Sequence, residues 1–386
     1  MRGIDSPALT CAVTLIAYAI FVAARLANHE SDPSIFVVAG DGFSNPAEAP
    51  DTLTVLPDSA GYDGQFFYRL ALDPFTSVQK DHGITLDAPA WRQQRIFYPL
   101  LVWCLARGDP ARTAIWMIGV NLVALALVGW LAGHLAQLLG RHAAAGLPVA
   151  FYPGFLYSLS RDLAEPVTAS LVLLGIALFL RGRHAGAALA TSLAVLTRET
   201  SLLVPAGMGI GLLWQAWRAR GEARWQTALY YLVPLFVYAG VQVLLARAWG
   251  QLPAGYGDHH FHIPFAGIWE FASANSAPQN RHQRVMLFDF VFVVGFSFAV
   301  ARASIAARGL EALKISCLLY GVLAVCLSGV IWSTDLGFLR ALTEYWLLGA
   351  VLVVAVGRSQ PRLWWSFCAA TAWIWLVVYR TRTHWI

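Results

Sequence analysis

Asp63 is the residue in this chain whose type and position most favour chemistry. It lies in the stretch from Gly61 to Gln65, within a polar segment, residues 28–95, that directly follows the first apolar run. A carboxylate beside a membrane surface can take the proton of an acceptor hydroxyl, and Gly64 would let the backbone approach a bound ligand closely. The alternative is structural, because Asp before Gly and a run of helix formers is typical of a helix N-cap.

Two arginines that are three residues apart, Arg92 and Arg95, follow in the same polar segment. The guanidinium fork matches the oxygens of a phosphate, so this pair is a candidate for binding a lipid phosphate. Alternatively, both side chains extend to lipid headgroups while their stems pack on apolar surface. Tyr62 and Gln65, which flank Asp63 and Gly64, complete the predicted substrate contacts of this loop.

Charged residues also occur where later apolar runs begin or end. Arg340 and Glu344 are four residues apart and share a helix face, so they are expected to form an internal ion pair lining the same cavity. Arg198 is a candidate for binding substrate, and its alternative is a pair with Glu199 or with an acid from another turn. Glu165 supports the site or stabilises the start of its own helix. The remaining predicted supporting acids are Asp41, Asp162 and Asp335.

One segment contains residue types that bind metals, namely Asp258, His259, His260 and His262. Imidazole groups suit zinc and other transition metals, so a divalent metal is the one cofactor that the sequence leaves open. Adjacent histidines rarely chelate one ion alone, and no HExxH spacing is present. A loop that contacts solvent or substrate is therefore the default interpretation. Motifs for nucleotide binding are also missing from the sequence, which argues against a nucleotide-driven pump.

The composition explains why these charges stand out. Of 386 residues, 58% are hydrophobic and only 13% are charged, with a mean hydropathy of +0.57. Such a chain is expected to be a polytopic membrane protein. Its apolar runs are too long for barrel strands, so an all-α fold is predicted. The net charge of +5 comes from 27 scattered Lys and Arg residues, which excludes a nucleic-acid surface.

About eleven transmembrane helices are predicted within a single domain, residues 1–386. The expected spans are residues 8–26, 111–138, 145–159, 163–180, 185–196, 201–217, 225–245, 285–303, 313–331, 338–356 and 363–379. Every second turn is basic, which predicts a cytoplasmic N-terminus and an extracytoplasmic position for the acid-rich turns.

Two long outer loops are predicted, residues 27–96 with the candidate active site and residues 248–284. The part of the first loop from Gln65 to Phe75 is expected to be an interfacial helix, with its apolar side chains in the headgroup layer. The apolar stretch from Ile96 to Leu105 is too short to span and is expected to lie along the membrane surface.

These features together resemble the GT-C superfamily of membrane glycosyltransferases. The stretch from Tyr62 to Tyr68 is similar to the W-D-x-x-W/F-Y element of the GPI-type and bacterial mannosyltransferase branch, with Tyr62 in place of Trp. A basic turn at residues 181–183, followed later by Leu196-Thr197-Arg198, is similar to another sequence feature of that family. Residues 62–74 and 94–101 also look like a group of bacterial membrane proteins.

The resemblance implies an inverting transfer of a sugar from a polyprenyl-phosphate donor to a glycan, lipid or protein acceptor of the cell envelope. Asp63 would act as general base and arginines would stabilise the departing phosphate. The expected location is the inner membrane, with the active site on its outer face. Two alternatives stay open, a lipid or small-solute transporter or flippase and a non-catalytic subunit with the same fold.

Overall fold

The computed structural model of the chain describes residues 5–218 and 225–383, except for the side chains of residues 257–259. Within these ranges the chain is helical, with short 3-10 helices at Pro33–Phe36, Ala143–Gly146, Glu199–Leu202, Trp225–Leu232 and Pro253–His260. The α-helices are α1 (Pro7–Ala27), α2 (Gly64–Leu72), α3 (Pro89–Gln93), α4 (Phe97–Ala106), α5 (Pro110–Leu138), α6 (Leu147–Ala150), α7 (Pro153–Leu159), α8 (Glu165–Leu180), α9 (His184–Thr197), α10 (Leu203–Arg218), α11 (Val233–Trp249), α12 (Ala266–Ala274), α13 (Arg281–Ala306), α14 (Glu311–Cys326), α15 (Gly329–Trp332), α16 (Asp335–Ala341), α17 (Thr343–Val356) and α18 (Pro361–Arg382).

Four helices in the described ranges are long and apolar enough to cross a membrane. They are Pro7–Ala27, Pro110–Leu138, Trp225–Trp249 and Arg281–Ala306, and the bent pair of α16 and α17 would make a fifth. Pro at the first helical position and a capping side chain start two of them, with Ser6 accepting from the N–H of Ala8 and Asp109 from that of Ala111. Eleven spans are therefore not confirmed. The region predicted as one span over residues 145–159, for example, is divided between α6 and α7.

Helix α17 lies at the centre of the helix array. All of its fourteen residues except Ala355 are buried, and it is apolar on every side, as expected for a helix surrounded by others. The chain bends by 60° between α16 and α17. This bend puts the side chains of α16 in a different direction from those of α17, which affects the candidate site below.

The first loop folds as a compact unit rather than an open polar segment. Two short strand pairs brace it, β1 (Ala39–Gly40) parallel to β2 (Val55–Leu56) and β3 (Lys80–Asp81) antiparallel to β4 (Ile84–Thr85). Gly64 fixes the loop against the turn that precedes α8, because a Cβ there would lie 2.4 Å from the carbonyl oxygen of Arg161. The expected role of Gly64 in approaching a ligand is therefore wrong; its close neighbours are backbone atoms of the protein.

The interfacial position expected for the segment from Gln65 to Phe75 is wrong for its helical part, α2, whereas Phe75 beyond that helix is 72% exposed. Every residue of α2 is buried, including Phe66 and Phe67 at 3% exposure each. Helices α4 and α5 cover it, with Phe67 packing edge to face on Tyr98. The apolar side chains that were expected to enter the headgroup layer instead form part of a protein core, because α4 supplies the apolar surface that the membrane was expected to supply. Helix α4 does keep an exposed apolar face, at Trp103 and Leu105.

Candidate functional site

A cavity of about 520 Å³ lies where the first loop, the 198–200 turn, the 253–261 segment and α16 meet. Segments that are far apart in the sequence thus meet at this cavity. The turn before α8 contributes indirectly, through Glu165, whose carboxylate contacts Arg340. The charged side chains that line the cavity are Asp63, Arg92, Arg95, Arg198, Glu199 and Arg340.

Asp63 lies between two arginines at the cavity wall. Arg92 Nη1 donates to Asp63 Oδ1 at 2.8 Å, and Arg340 Nη2 donates to Asp63 Oδ2 at 3.1 Å. Although Asp63 immediately precedes α2, its side chain makes no cap hydrogen bond, so the N-cap alternative does not describe its carboxylate. Burial by itself would raise the pKa of Asp63, but the two guanidinium groups outweigh burial and lower the pKa below its ordinary value of 3.8.

Arg92 is held in place from several sides. Its Nε and Nη2 donate to the two carboxylate oxygens of Asp87 at 2.8 and 2.7 Å, which is the bidentate geometry that suits a guanidinium fork. The guanidinium also lies over the rings of Phe66 and Trp91, at 4.2 and 4.5 Å from their centroids. The side chain is therefore oriented before any ligand arrives, and it does not extend into a headgroup layer.

Arg95 and Glu199 form the second pair of the cavity. Arg95 Nε and Nη2 donate to the two oxygens of Glu199 at 2.8 and 2.5 Å, and the guanidinium lies 4.2 Å from the centroid of the Trp91 ring. The side chain of Glu199 is 22% exposed and that of Arg95 is 12% exposed. Because Glu199 binds Arg95, the alternative of a pair with its neighbour Arg198 is not what forms.

The expected ion pair between Arg340 and Glu344 is wrong because of the bend between α16 and α17. Arg340 donates instead to Glu165 at 2.8 Å and to the hydroxyl of Tyr62 at 2.7 Å, in addition to Asp63. Glu344 accepts from Thr200 and Ser201, and from Arg198 Nη1 at 3.4 Å. Helical spacing holds only within one straight helix, and these two residues belong to different ones.

Arg198 contacts residues on both sides of the bend, Arg340 of α16 and Glu344 of α17. Its Nη1 donates to the carbonyl oxygen of Arg340 at 2.7 Å and lies 3.8 Å from Glu165 Oε1. Glu165 and Glu344 have side chains that are 3% and 0% exposed, so they stand behind the arginines rather than in the cavity. The arginines face the cavity and the most deeply buried acids hold them from behind.

One wall of the cavity is apolar. It contains Tyr238, Phe261, Leu323, Leu327 and Val330. Phe261 and Val330 are 50% and 62% exposed, so this apolar part of the lining is accessible to solvent. The cavity therefore joins a charged side to an apolar side that can be reached from outside.

Besides Glu165 and Glu344, four of the predicted substrate-binding and supporting residues lie away from the cavity lining. The side chain of Gln65 is buried and bonds to the N–H of Gly40, the hydroxyl of Ser44 and the carbonyl of Ala60, so it organises the loop and does not face a ligand. Asp41 accepts from two backbone N–H groups of the same loop, at residues 58 and 59. Asp162 is fully buried, and burial raises its pKa well above the ordinary value.

Asp335, the fourth of these residues, belongs to a separate buried cluster. Its carboxylate contacts the hydroxyl of Tyr157 and accepts from Arg382 Nη2 at 3.2 Å. The same tyrosine hydroxyl donates to Asp289 at 3.2 Å. Asp335 and Asp289 are 1% and 0% exposed, so this cluster has little access to solvent.

The described part of the predicted metal segment lies beside the cavity. His260 stacks on Trp91 with the ring centroids 5.9 Å apart, and Tyr256 packs on the same ring. The side chains of Asp258 and His259 lie outside the described residues. No group of three or more metal-ligating side chains occurs in the described ranges. Asp63 and Glu199, the carboxylates among the described residues that line the cavity, already bind guanidinium groups.

Sequence reasoning missed several residues that this region depends on. Asp87 holds Arg92, and Trp91 stacks under both loop arginines, yet neither was singled out. Asp289 carried a clear signal, since it is a single acid between two phenylalanines in an apolar run, and charges in such runs are usually paired. Arg382 carried no comparable signal because it lies in a basic C-terminal stretch.

Comparison with known proteins adds nothing to these observations. No protein-family model matches the chain, and a search of curated proteins finds no match.

Proposed function

We propose that the protein is an inverting glycosyltransferase that takes a sugar from a polyprenyl-phosphate donor, with a GT-C-like fold. The observation that carries the proposal is the position of Asp63, a carboxylate between Arg92 and Arg340 on a cavity whose lining also includes solvent-accessible apolar side chains. An isoprenoid tail suits the apolar wall, and a phosphate suits the arginines.

The chemistry follows from that placement. The acceptor hydroxyl gives its proton to Asp63 while its oxygen forms a bond to the anomeric carbon. The bond from that carbon to the phosphate oxygen breaks, and the electron pair stays with the departing polyprenyl phosphate. Fixed guanidinium groups in a partly dry cavity stabilise the charge on that oxygen. No nucleotide is needed, because the donor itself is activated.

The low pKa of Asp63 calls for one further step. A carboxylate that accepts from two arginines is ionised but weakly basic. A donor phosphate would compete for Arg92 and Arg340, and each hydrogen bond that it takes from Asp63 would make this carboxylate more basic. Donor binding would thereby prepare the base for the acceptor.

The proposal includes a membrane arrangement. The long helices α1, α5 and α13 would cross the bilayer fully, and shorter apolar helices such as α8 and α9 would complete up to eleven passes inside the array. The N-terminus would be cytoplasmic, and the cavity would face outward from the inner membrane.

A non-catalytic role is the second candidate, because one specific observation favours it. Each arginine that lines the cavity already has a carboxylate within 3.4 Å, as expected for a purely structural network. A flippase has less support, since the charged lining is confined to one end of the helix array, whereas moving a lipid headgroup needs polar groups along the whole path.

The deciding experiment incubates the purified full-length protein with a panel of polyprenyl-phosphate sugars and measures transfer to added acceptors. Asp63→Asn should lower transfer by about 10²–10⁴-fold. Asp41→Asn is the matched control, because Asp41 is an acid of the same loop that binds only loop backbone, and it should transfer at the parental rate. Equal turnover by parent and Asp63→Asn would remove Asp63 as the base.

Donor binding tests the arginines separately. Arg92→Ala and Arg95→Ala should each reduce the free energy of donor binding by more than they reduce the free energy of unfolding, because both side chains face the cavity. Unchanged donor affinity in both variants, together with no transfer by the parent, would favour the non-catalytic subunit.

A further inference from the structure

The arginines around the cavity are already matched by carboxylates before any ligand is bound. Four guanidinium groups line the cavity, those of Arg92, Arg95, Arg198 and Arg340. Five carboxylates contact these arginines, namely Asp63, Asp87, Glu165, Glu199 and Glu344. The set therefore has no net positive charge to offer an anion.

The arginines also have few N–H groups to spare. A guanidinium has five N–H donors. Arg92 commits one N–H from each of its three nitrogens to Asp87 and Asp63. Arg340 does the same with Glu165, Tyr62 and Asp63. A single phosphate can use the remaining N–H groups and take some of those that Asp63 holds, whereas a diphosphate must displace more of the carboxylates.

We infer that this cavity accepts a lipid phosphodiester with a single negative charge and rejects the corresponding diphosphate, and that the flanking acids set this limit. The inference rests on the proposed function and narrows its donor class. A phosphodiester adds one negative charge to a set that already has no net positive charge. A diphosphate adds two in the same space, next to Asp63 and Glu199, and like charges at such distances oppose binding.

A divalent metal is the usual way to neutralise a diphosphate. The two carboxylates on the cavity are committed to arginines, with Asp63 at 2.8 Å from Arg92 and Glu199 at 2.5 Å from Arg95. Recruiting them to a metal would leave those buried guanidinium groups without their partners, which is costly. The acids that neutralise the arginines therefore also oppose the binding of the metal ion that a diphosphate would need.

The test measures binding of two probes to the purified full-length protein in the presence of a chelator. The probes are a farnesyl phosphodiester of a hexose, with one charge, and the farnesyl diphosphate ester of the same hexose, with two. We expect the phosphodiester to bind at least about tenfold more tightly, which corresponds to about 1.4 kcal/mol. Equal binding, or tighter binding of the diphosphate, would overturn the inference and leave the proposed function intact.

Charge variants identify the groups responsible. Glu199→Gln and Asp87→Asn each remove one negative charge and keep every arginine, so both should tighten diphosphate binding and reduce the preference several-fold. Asp41→Asn changes the net charge of the protein equally, at a position outside the set, and should leave the preference unchanged. An unaltered preference in both cluster variants, with parental unfolding temperatures, would contradict a limit set by these acids.

The outcomes distinguish failure of the proposed function from failure of the inference on donor charge. Binding of neither probe by the parent would remove the proposed function, and this inference with it. Binding of both probes with no preference would remove only the inference.

Discussion

Two groups of charged side chains in this protein differ in what lies beside them. The first group surrounds Asp63 and borders a cavity, with Asp63 and Glu199 each 22% exposed. The second surrounds Asp335, and its two acids and Tyr157 are at most 1% exposed. Both join residues that are far apart in the sequence, but only the first leaves its charges where a ligand can reach them.

The difference shows that burial of charge alone does not mark a functional site. A sealed ion pair positions helices, and here Arg382 of α18, Asp335 of α16 and Tyr157 of α7 tie three helices together. In the Asp63 group the deeply buried acids hold the arginines, and the arginines face the open space. The Asp63 group can respond to a ligand, whereas the Asp335 group can only lose stability when it is disturbed.

The largest expected effect comes from breaking the sealed group. Arg382→Met should lower the free energy of unfolding by about 3–5 kcal/mol, because it leaves Asp335 buried without its cation. Thermal or denaturant unfolding in detergent measures this loss. The double variant with Asp335→Asn should lose less than the two single variants added together, since they share one interaction. Full additivity would mean that the pair is not coupled.

The helical class, the first outer loop as the location of the site, and the chemistry-bearing residue types were predictable from the sequence. Asp63, Arg92, Arg95, Arg198, Glu199 and Arg340 do come together at one cavity. Their pairing was not predictable, because it depends on contacts across as many as 278 residues, as between Arg340 and Tyr62. Apolar periodicity locates helices but does not tell a protein core from a lipid surface, which is why α2 was expected in the headgroup layer.

The bend between α16 and α17 explains the clearest error in the site. The sequence from Asp335 to Val356 reads as nearly continuous helix, interrupted in the structure at Leu342. No Pro or Gly marks that position, so the expected pair of Arg340 and Glu344 had no local signal against it. The bend arises from tertiary contacts, with Arg340 held by Asp63 and Glu165 and Glu344 held by Thr200 and Ser201.

A second prediction concerns Gln65, which was expected to contact substrate. Gln65→Met keeps the volume but leaves three buried partners without their bonds, so it should lower the free energy of unfolding by about 2–3 kcal/mol. Gln79→Met, which removes one bond to the carbonyl of Leu86 in the same loop, is the control and should lose about 1 kcal/mol. Weaker donor binding by a Gln65→Met variant with parental stability would instead indicate that Gln65 contacts the donor.

The third prediction uses pH to separate Asp63 from ordinary surface acids. The folded protein lowers the pKa of Asp63, so its ionised form stabilises the fold above pH 4, and that contribution declines as the pH falls below 4 towards the lower folded pKa. Each unit of lowering is worth about 1.4 kcal/mol. The difference in unfolding free energy between parent and Asp63→Asn should therefore stay constant from pH 7 to 5 and shrink below pH 4. A difference that grows on acidification would contradict the paired state of Asp63.

The smallest expected effect is at Asp41, and it completes the comparison at the exposed side of the loop. Asp41→Asn keeps one acceptor oxygen and loses the other, so of the bonds to the N–H groups of Asp58 and Ser59 one should weaken. Because the residue is exposed, water replaces what is lost, and the free energy of unfolding should fall by only about 0.5 kcal/mol. A loss as large as that of Arg382→Met would contradict the expectation that an exposed carboxylate contributes less to stability than a buried one in this protein.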